Sequence, residues 1–76
     1  MRQLETSRHE ILAAIASLTL EHGYSPTIRE IGAKVGIKSP STMQIRLQAL
    51  AEAGLVTYQP HLARTLAITD AGRAEL

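Results

Sequence analysis

One stretch of the sequence carries side chains that could recognise another molecule by hydrogen bonding and shape. Met43, Leu47 and Leu50 recur at helical spacing, so a helix that buries them turns the polar residues between them to solvent. Glutamine can pair with adenine through two hydrogen bonds, and an isoleucine or threonine methyl group can cover a thymine methyl group. On these grounds, the residues predicted to contact DNA bases are Ser41, Thr42, Gln44, Ile45 and Gln48.

The neighbouring residues are of types that contact a phosphate backbone. Helix N-termini offer free amides and a favourable dipole to anions, and Thr27 and Ser39 stand at two predicted N-termini. Cationic side chains lie close to both ends and in a predicted hairpin. The residues predicted to contact phosphates are Thr27, Arg29, Lys38, Arg46, His61 and Arg64.

A plainer interpretation of the same residues stays open, because polar helix faces are common on protein surfaces. Ser41 and Thr42 could only cap a helix, and Gln44 could only keep it soluble. Ile45 could be partly buried by the hairpin. The flanking turn and hairpin favour base contact over this alternative.

No residue pattern typical of catalysis or metal binding occurs. His9-Glu10 and Glu21-His22 are isolated dipeptides and do not form the H-E-x-x-H pattern of zinc enzymes. There is no glycine-rich phosphate loop. The absence of cysteine excludes disulfides, thiolate nucleophiles and cysteine-ligated metals. We therefore predict a protein that is not an enzyme and uses no metal, cofactor or small-molecule ligand.

Charge is unevenly distributed over the 76 residues. Residues 27–64 hold five basic and two acidic side chains, a net charge of +3, whereas the rest of the chain has a net charge of −2. A basic central segment favours binding to a polyanion. The alternative interpretation is an ordinary surface of mixed charges. Because neither a leader pattern nor a membrane-length apolar run occurs, we expect a cytoplasmic protein without membrane contact.

Three helices can be located from the residues at their ends. Ser7–Glu10 and Thr27–Glu30 are capping-box patterns, and Gly36 is a typical C-terminal stop. Ser39 can serve as an N-cap, with Pro40 at the first helical position. The predicted helices span 7–22, 27–35 and 40–53. The short turn between the last two is typical of a helix-turn-helix.

After Gly54 the pattern changes to that of a β-hairpin. Leu66 and Ile68 alternate with small or polar residues, as in a half-buried strand, and Pro60 falls in the connection. The hairpin is predicted over 55–69 and a short C-terminal helix over 70–76. The predicted class is mainly α with a small β-hairpin: a winged helix-turn-helix with three helices and a two-stranded wing, in a single domain over 1–76.

Three segments are similar to a known family. They are G-Y-S-P-T-I-R-E-I at 23–31, G-I-K-S-P at 36–40 and L-Q-A-L-A-E-A-G-L-V at 47–56. From about Leu4 to Ile68 the sequence resembles the N-terminal domain of the LexA repressor family. The resemblance implies a winged fold, sequence-specific binding to a double-stranded DNA operator, and transcriptional repression by a homodimer on a palindromic site. It also implies base contacts from Ser39, Ser41, Thr42, Gln44 and Ile45.

Two departures from the family change what the resemblance implies. LexA repressors carry a C-terminal self-cleaving protease domain, which this sequence lacks, so self-cleavage is not implied. The sequence could be an excised domain or a small stand-alone regulator, and the ending Ile68–Arg73, which resembles that of other compact winged-helix regulators, favours the second. Familiar members also have acidic residues at the positions of Gln44 and Ile45. Because acidic groups accept from cytosine, we predict a different operator here, with adenine or thymine at the contacted positions.

A winged-helix module for protein contact or dimerisation, without specific DNA binding, is the alternative function. Ala13, Ala16 and Leu20 form a second, mildly apolar face on the first predicted helix. This face could bind a second copy of the chain, or it could be covered by the tail through Ala71 and Leu76.

Overall fold

The computed structural model describes residues 8–59 and 62–76, which form four helices and one two-stranded antiparallel sheet. The predicted class, a winged helix-turn-helix, is confirmed. The elements are α1 (Arg8–His22), α2 (Ile28–Val35), α3 (Pro40–Glu52), β1 (Val56–Thr57), β2 (Ala67–Ile68) and α4 (Asp70–Ala74). The predicted cap at Ser7 lies outside the described residues.

Local hydrogen bonds set the ends of α2 as its sequence predicts. Thr27 Oγ1 accepts from the amide of Glu30 at 3.1 Å, and the Glu30 carboxylate accepts from the amide of Thr27 at 2.9 Å. This reciprocal pair is the capping box. At the other end Gly36 has φ 84°, a left-handed conformation that a side chain disfavours.

The turn between α2 and α3 packs closely against α2. The amides of Gly36 and Ile37 both donate to the carbonyl of Gly32, at 2.8 and 2.9 Å. The chain then enters α3 at Ser39, whose side chain accepts from the amide of Thr42 at 3.3 Å, with Pro40 at the first helical position. These short-range bonds fix where α3 begins relative to α2.

The core contains only aliphatic side chains and methionine among the described residues. Ile31, Met43 and Leu47 are almost fully buried, and they join α2 to α3. Each such side chain contributes about 1.5–3 kcal/mol by leaving water. The remaining core members are Ile11, Leu12, Ala14, Ile15, Leu18, Leu50, Leu55, Val56 and Leu66. The buried stripe on α3 fixes the rotation of that helix and therefore decides which face remains outside.

The wing is a hairpin with a very short ladder. Val56 pairs with Ile68 and Thr57 with Ala67. Val56 and Leu66 point into the core, whereas Thr57 and Ala67 are exposed, which is the alternation expected of a half-buried hairpin. With only two residues in each strand, the ladder alone gives the loop between them little support.

The C-terminal segment closes the fold on the wing side. Thr69 caps α4 by accepting from the amide of Gly72 at 3.1 Å, and it donates to the carbonyl of Gly54 at 2.6 Å. Arg8 and Glu75 pair at 3.4 Å, which brings α4 to the start of α1. No helix in 8–59 or 62–76 is long and apolar enough to span a membrane.

Candidate nucleic-acid interface

The outward face of α3 carries the side chains that the sequence predicts for base contact. Ser41, Thr42, Gln44, Ile45 and Gln48 are all exposed. Ile45 is 68% exposed, so the alternative in which the hairpin partly buries it is wrong. A large apolar side chain held in solvent between uncharged hydrogen-bonding residues can contact a partner through both shape and polarity.

Two residues predicted to contact bases, Ser39 and Gln48, already use their side chains in hydrogen bonds at α3. Ser39, at the N-cap, uses its side-chain oxygen to accept from Thr42, and Gln48 Nε2 donates to Glu52 Oε2 at 3.5 Å. Both bonds are exposed, so an external partner could replace them at little cost. The described hydrogen bonds include none made by the side chains of Ser41 and Gln44, and the side chain of Ile45 has no polar atom.

A groove of about 470 Å³ lies between the N-terminal ends of α2 and α3 and the wing. Thr27, Arg29, Gln44 and Arg64 line it, so four of the sequence-predicted contact residues meet at one site. The groove is also lined by residues that the sequence did not predict to contact DNA: Pro26, Ile28, Pro40, Leu47, Tyr58, Gln59, Leu62, Ala63, Thr65 and Leu66. Of these, Tyr58 and Gln59 offer polar atoms at the base of the wing.

Arg46 lies on the other flank of α3. It follows Gln44 by two positions, which places the two side chains about 200° apart around the helix axis. Arg46 is half-buried and lines a smaller cavity of about 200 Å³ together with Arg8 and Ile11 of α1. The structure therefore does not bring Arg46 to the groove that holds Gln44 and Arg29. Lys38 is exposed in the turn before α3, and His61 lies outside the described residues.

The N-terminus of α2 is shielded from anions at one point by its own capping carboxylate. The hydrogen bond from the Thr27 amide, followed by the hydrogen bond from Arg64, lowers the pKa of Glu30 below its ordinary value. Glu30 is therefore a stable anion at the helix end. The Thr27 hydroxyl and amide are both engaged in the capping box, which leaves the amides of Ile28 and Arg29 as the first helical donors outside it.

Arg64 is directed toward the body of the protein. Its guanidinium pairs with both carboxylate oxygens of Glu30, Nη1 to Oε1 at 3.2 Å and Nη2 to Oε2 at 3.3 Å. Nη1 also donates to the carbonyl of Ser25 at 3.0 Å, and the Cζ atom lies 4.6 Å from the centre of the Tyr24 ring. The predicted phosphate contact of Arg64 would have to replace these interactions. Sequence spacing offered no signal for them, because Arg64 is 34 residues from Glu30.

The structure does not assemble a metal site in its described part. No group of three His, Asp or Glu side chains is close enough within 8–59 and 62–76 to hold a metal ion.

Comparison with known proteins identifies the family. A family model described as the LexA DNA binding domain matches residues 1–65. A LexA repressor of Lacticaseibacillus casei is 47% identical over 64 residues, which cover 84% of this chain and 31% of that protein. A LexA repressor of Anaeromyxobacter dehalogenans is 40% identical over 76 residues, which cover all of this chain and 33% of that protein.

A more distant relative is also matched over only part of its own length. The LexA repressor of Bacillus mycoides is 36% identical over 75 residues, covering 99% of this chain and 37% of the relative. The chain thus spans about a third of the length of the curated relatives it matches. Because the family model covers most of the chain, this protein belongs to the LexA DNA binding domain family.

Proposed function

We propose that residues 1–76 act as a single sequence-specific DNA-binding domain that represses transcription by placing α3 in the major groove of an operator. The observation that carries the proposal is the exposed face of α3, where Ser41, Gln44 and Ile45 present hydrogen-bonding and methyl groups beside the wing groove. An α-helix fits the major groove, where all four base pairs are distinguishable. The relatives named LexA repressor support the repressor role.

Backbone contacts would come from the groups around the groove. Arg29 and Lys38 are exposed cations near the starts of α2 and α3, and the amides of Ile28 and Arg29 lie outside the capping box. Helix N-termini favour phosphate oxygens because of these amides and the helix dipole. Such contacts would set the register of α3 on the duplex, while base contacts would set the sequence preference.

The identity of the residues at the centre of α3 predicts the operator. Gln44 would pair with adenine, and Ile45 would contact a thymine methyl group, so A·T pairs should be selected at those two positions. The glutamine amide matches the donor and acceptor of adenine better than the lone amino group of cytosine, and isoleucine has no hydrogen-bond acceptor to offer cytosine. Selection of bound sequences from a random duplex pool would measure these preferences directly.

Alanine variants test the assignment. Gln44→Ala and Ile45→Ala should each relax selection at one position of the recovered site, with about 1–3 kcal/mol of discrimination lost for Gln44. Ser17→Ala, an exposed change on α1, serves as the control and should leave the recovered site unaltered. Unchanged base preference in both α3 variants would contradict the proposal.

We further propose that two copies bind a palindromic operator. In helix-turn-helix dimers the half-sites lie about 10–10.5 base pairs apart or at multiples of that distance, because both α3 helices must enter the same side of the duplex. The same selection experiment reports the spacing. Sedimentation of the protein with one half-site and with two would give the stoichiometry; recovery of single, unpaired half-sites would contradict a dimer.

A second candidate function, protein contact without specific DNA binding, rests on the exposure of Leu20. This side chain is 87% exposed on α1, so the tail does not cover it, and Leu76 of the tail is itself 48% exposed. If a second copy of the chain covered Leu20, the association would remove this side chain from water. A module used only for protein contact would bind no DNA with a steep salt dependence, which separates it from the DNA-binding proposal.

A further inference from the structure

Arg64 is the one described residue of the wing loop whose side chain reaches back across the groove to two other elements. It pairs with Glu30 at the start of α2 and donates to the Ser25 carbonyl in the segment between α1 and α2. Its guanidinium also lies over Tyr24, whose ring stacks on His22 at 5.4 Å with an interplanar angle of 22°. We call this set of contacts the wing clamp.

The backbone of Arg64 is consistent with a residue held in place by its side chain. Its φ is 62°, which places it in the left-handed region. A residue with a Cβ atom loses roughly 1–2 kcal/mol there relative to the right-handed region. Such conformations persist where surrounding contacts determine them. At this position the wing clamp supplies those contacts.

Other described bonds of the loop close it on itself and do not join it to the helices: Thr65 Oγ1 accepts from the Gln59 amide at 2.8 Å and donates to the Leu62 carbonyl at 3.1 Å. The ladder between β1 and β2 contains only two residue pairs, and the loop between the strands extends beyond it. A second tie joins the same segments, since Ser25 Oγ donates to the carbonyl of Leu66. Both ties attach the returning arm of the wing to the residues that lead into α2. They therefore set the separation between the wing and the helical body on the side where the groove opens.

We infer that Arg64 is a positioning residue, which fixes the wing against the N-terminus of α2 and so sets the width of the groove between the wing and α3. This inference rests on the proposed function for its consequence, because the groove is where the DNA backbone would lie. It assigns Arg64 and Glu30 a shared role and replaces the direct phosphate contact predicted for Arg64 from the sequence.

Glu30→Gln distinguishes positioning from phosphate contact. A glutamine at this position can still accept from the Thr27 amide, so the capping box survives while the ion pair with Arg64 is lost. If Arg64 bound phosphate, this change would release the guanidinium and remove a negative charge, and DNA affinity would stay equal or rise. If Arg64 positions the wing, affinity should fall by about 2- to 5-fold.

The salt dependence provides a second criterion. Removing a phosphate contact lowers the slope of log affinity against log salt by about 0.9. Arg64→Gln should weaken binding without that change in slope, and Arg64→Lys should not restore it fully, since an ammonium group cannot form the two-pronged pair. Equal or tighter binding by Glu30→Gln, together with a slope change of about 0.9 for Arg64→Gln, would overturn the inference.

Measurements on the free protein separate this inference from the proposed function. Amide hydrogen exchange at Gln59 and at residues 62–66 should accelerate in Glu30→Gln and Arg64→Gln, and much less in α1. Glu75→Gln, which removes an exposed ion pair with Arg8, is the matched control and should leave wing exchange unchanged. Unchanged wing exchange in Glu30→Gln would overturn the wing clamp. Failure of every variant and the wild type to select DNA would overturn the proposed function alone.

Discussion

At the residue scale, Gly32 shows how closely the turn approaches α2. A Cβ atom added there would lie 2.6 Å from the carbonyl oxygen of Ile37. That oxygen belongs to the backbone and cannot rotate away, and the Ile37 amide is itself bonded to the Gly32 carbonyl at 2.9 Å. The absence of a side chain at Gly32 therefore sets the distance between α2 and the turn that leads to α3.

Gly32→Ala is expected to destabilise the protein. Alanine gains about 1 kcal/mol over glycine in helix propensity, but overpacking against backbone costs about 1–3 kcal/mol and should prevail. Urea unfolding should therefore give a lower free energy of unfolding, and Tm should fall by roughly 4–8 °C for each kcal/mol lost. Lys34→Ala, at an exposed position of the same helix, should change stability by less than about 0.5 kcal/mol. A more stable Gly32→Ala variant would show that the turn adapts easily.

At the element scale, the capping box of α2 joins helix stability to pH. The hydrogen bond from Thr27 and the ion pair with Arg64 both favour the charged form of Glu30, so its pKa lies below the ordinary value. A carboxylate with a lowered folded-state pKa contributes stability that is complete above its unfolded-state pKa. This contribution is lost as the pH falls through the folded-state value.

The pH dependence of unfolding should reveal this contribution. Between neutral pH and about pH 3, wild-type protein should lose more stability than Glu30→Gln, with the difference developing below the ordinary value of 4.5. An NMR titration of the Glu30 carboxyl carbon gives the pKa directly. In Arg64→Gln that pKa should rise but stay lowered, because the Thr27 bond is the larger cause. Parallel pH profiles for wild type and Glu30→Gln would contradict this assignment.

The elements that local sequence determines were predictable, and the contacts between distant segments were not. The caps at Thr27 and Ser39 and the left-handed Gly36 follow from neighbouring residues, so their patterns predicted the start and end of α2 and the start of α3. The buried stripe of α3 predicted the outward face because helix periodicity is fixed. The pairing of Arg64 with Glu30 depends on the path of the whole wing, which spacing along the chain does not encode.

At the scale of the whole molecule, the charge asymmetry should govern the strength of the proposed DNA contact. The net charge of +3 resides in residues 27–64, which contain α2, α3 and most of the wing. The acidic remainder includes Glu10 and Glu21 on α1. Attraction to a duplex should therefore orient the molecule with α3 forward before any base contact forms.

Salt titration of DNA binding should identify the cations that touch phosphate. Log affinity should fall linearly with log salt concentration, by about 0.9 for each phosphate contacted. Lys38→Gln should reduce this slope by about that amount, since Lys38 is exposed beside the start of α3. Lys34→Gln removes the same charge from the C-terminal turn of α2 and should leave the slope nearly unchanged. Equal slope changes in both variants would indicate a long-range charge effect in place of contact.

The aliphatic core has a practical consequence for optical measurements. The sequence contains no tryptophan and no phenylalanine, and its two tyrosines both stand beside the wing. Tyr24 lies beneath the Arg64 guanidinium, and Tyr58 lines the groove. Tyrosine emission would therefore arise only from these two rings, and it would not be quenched by energy transfer to a tryptophan. Release of the wing would change the surroundings of one ring and entry of a ligand those of the other, so the summed tyrosine emission should respond to both events without a label.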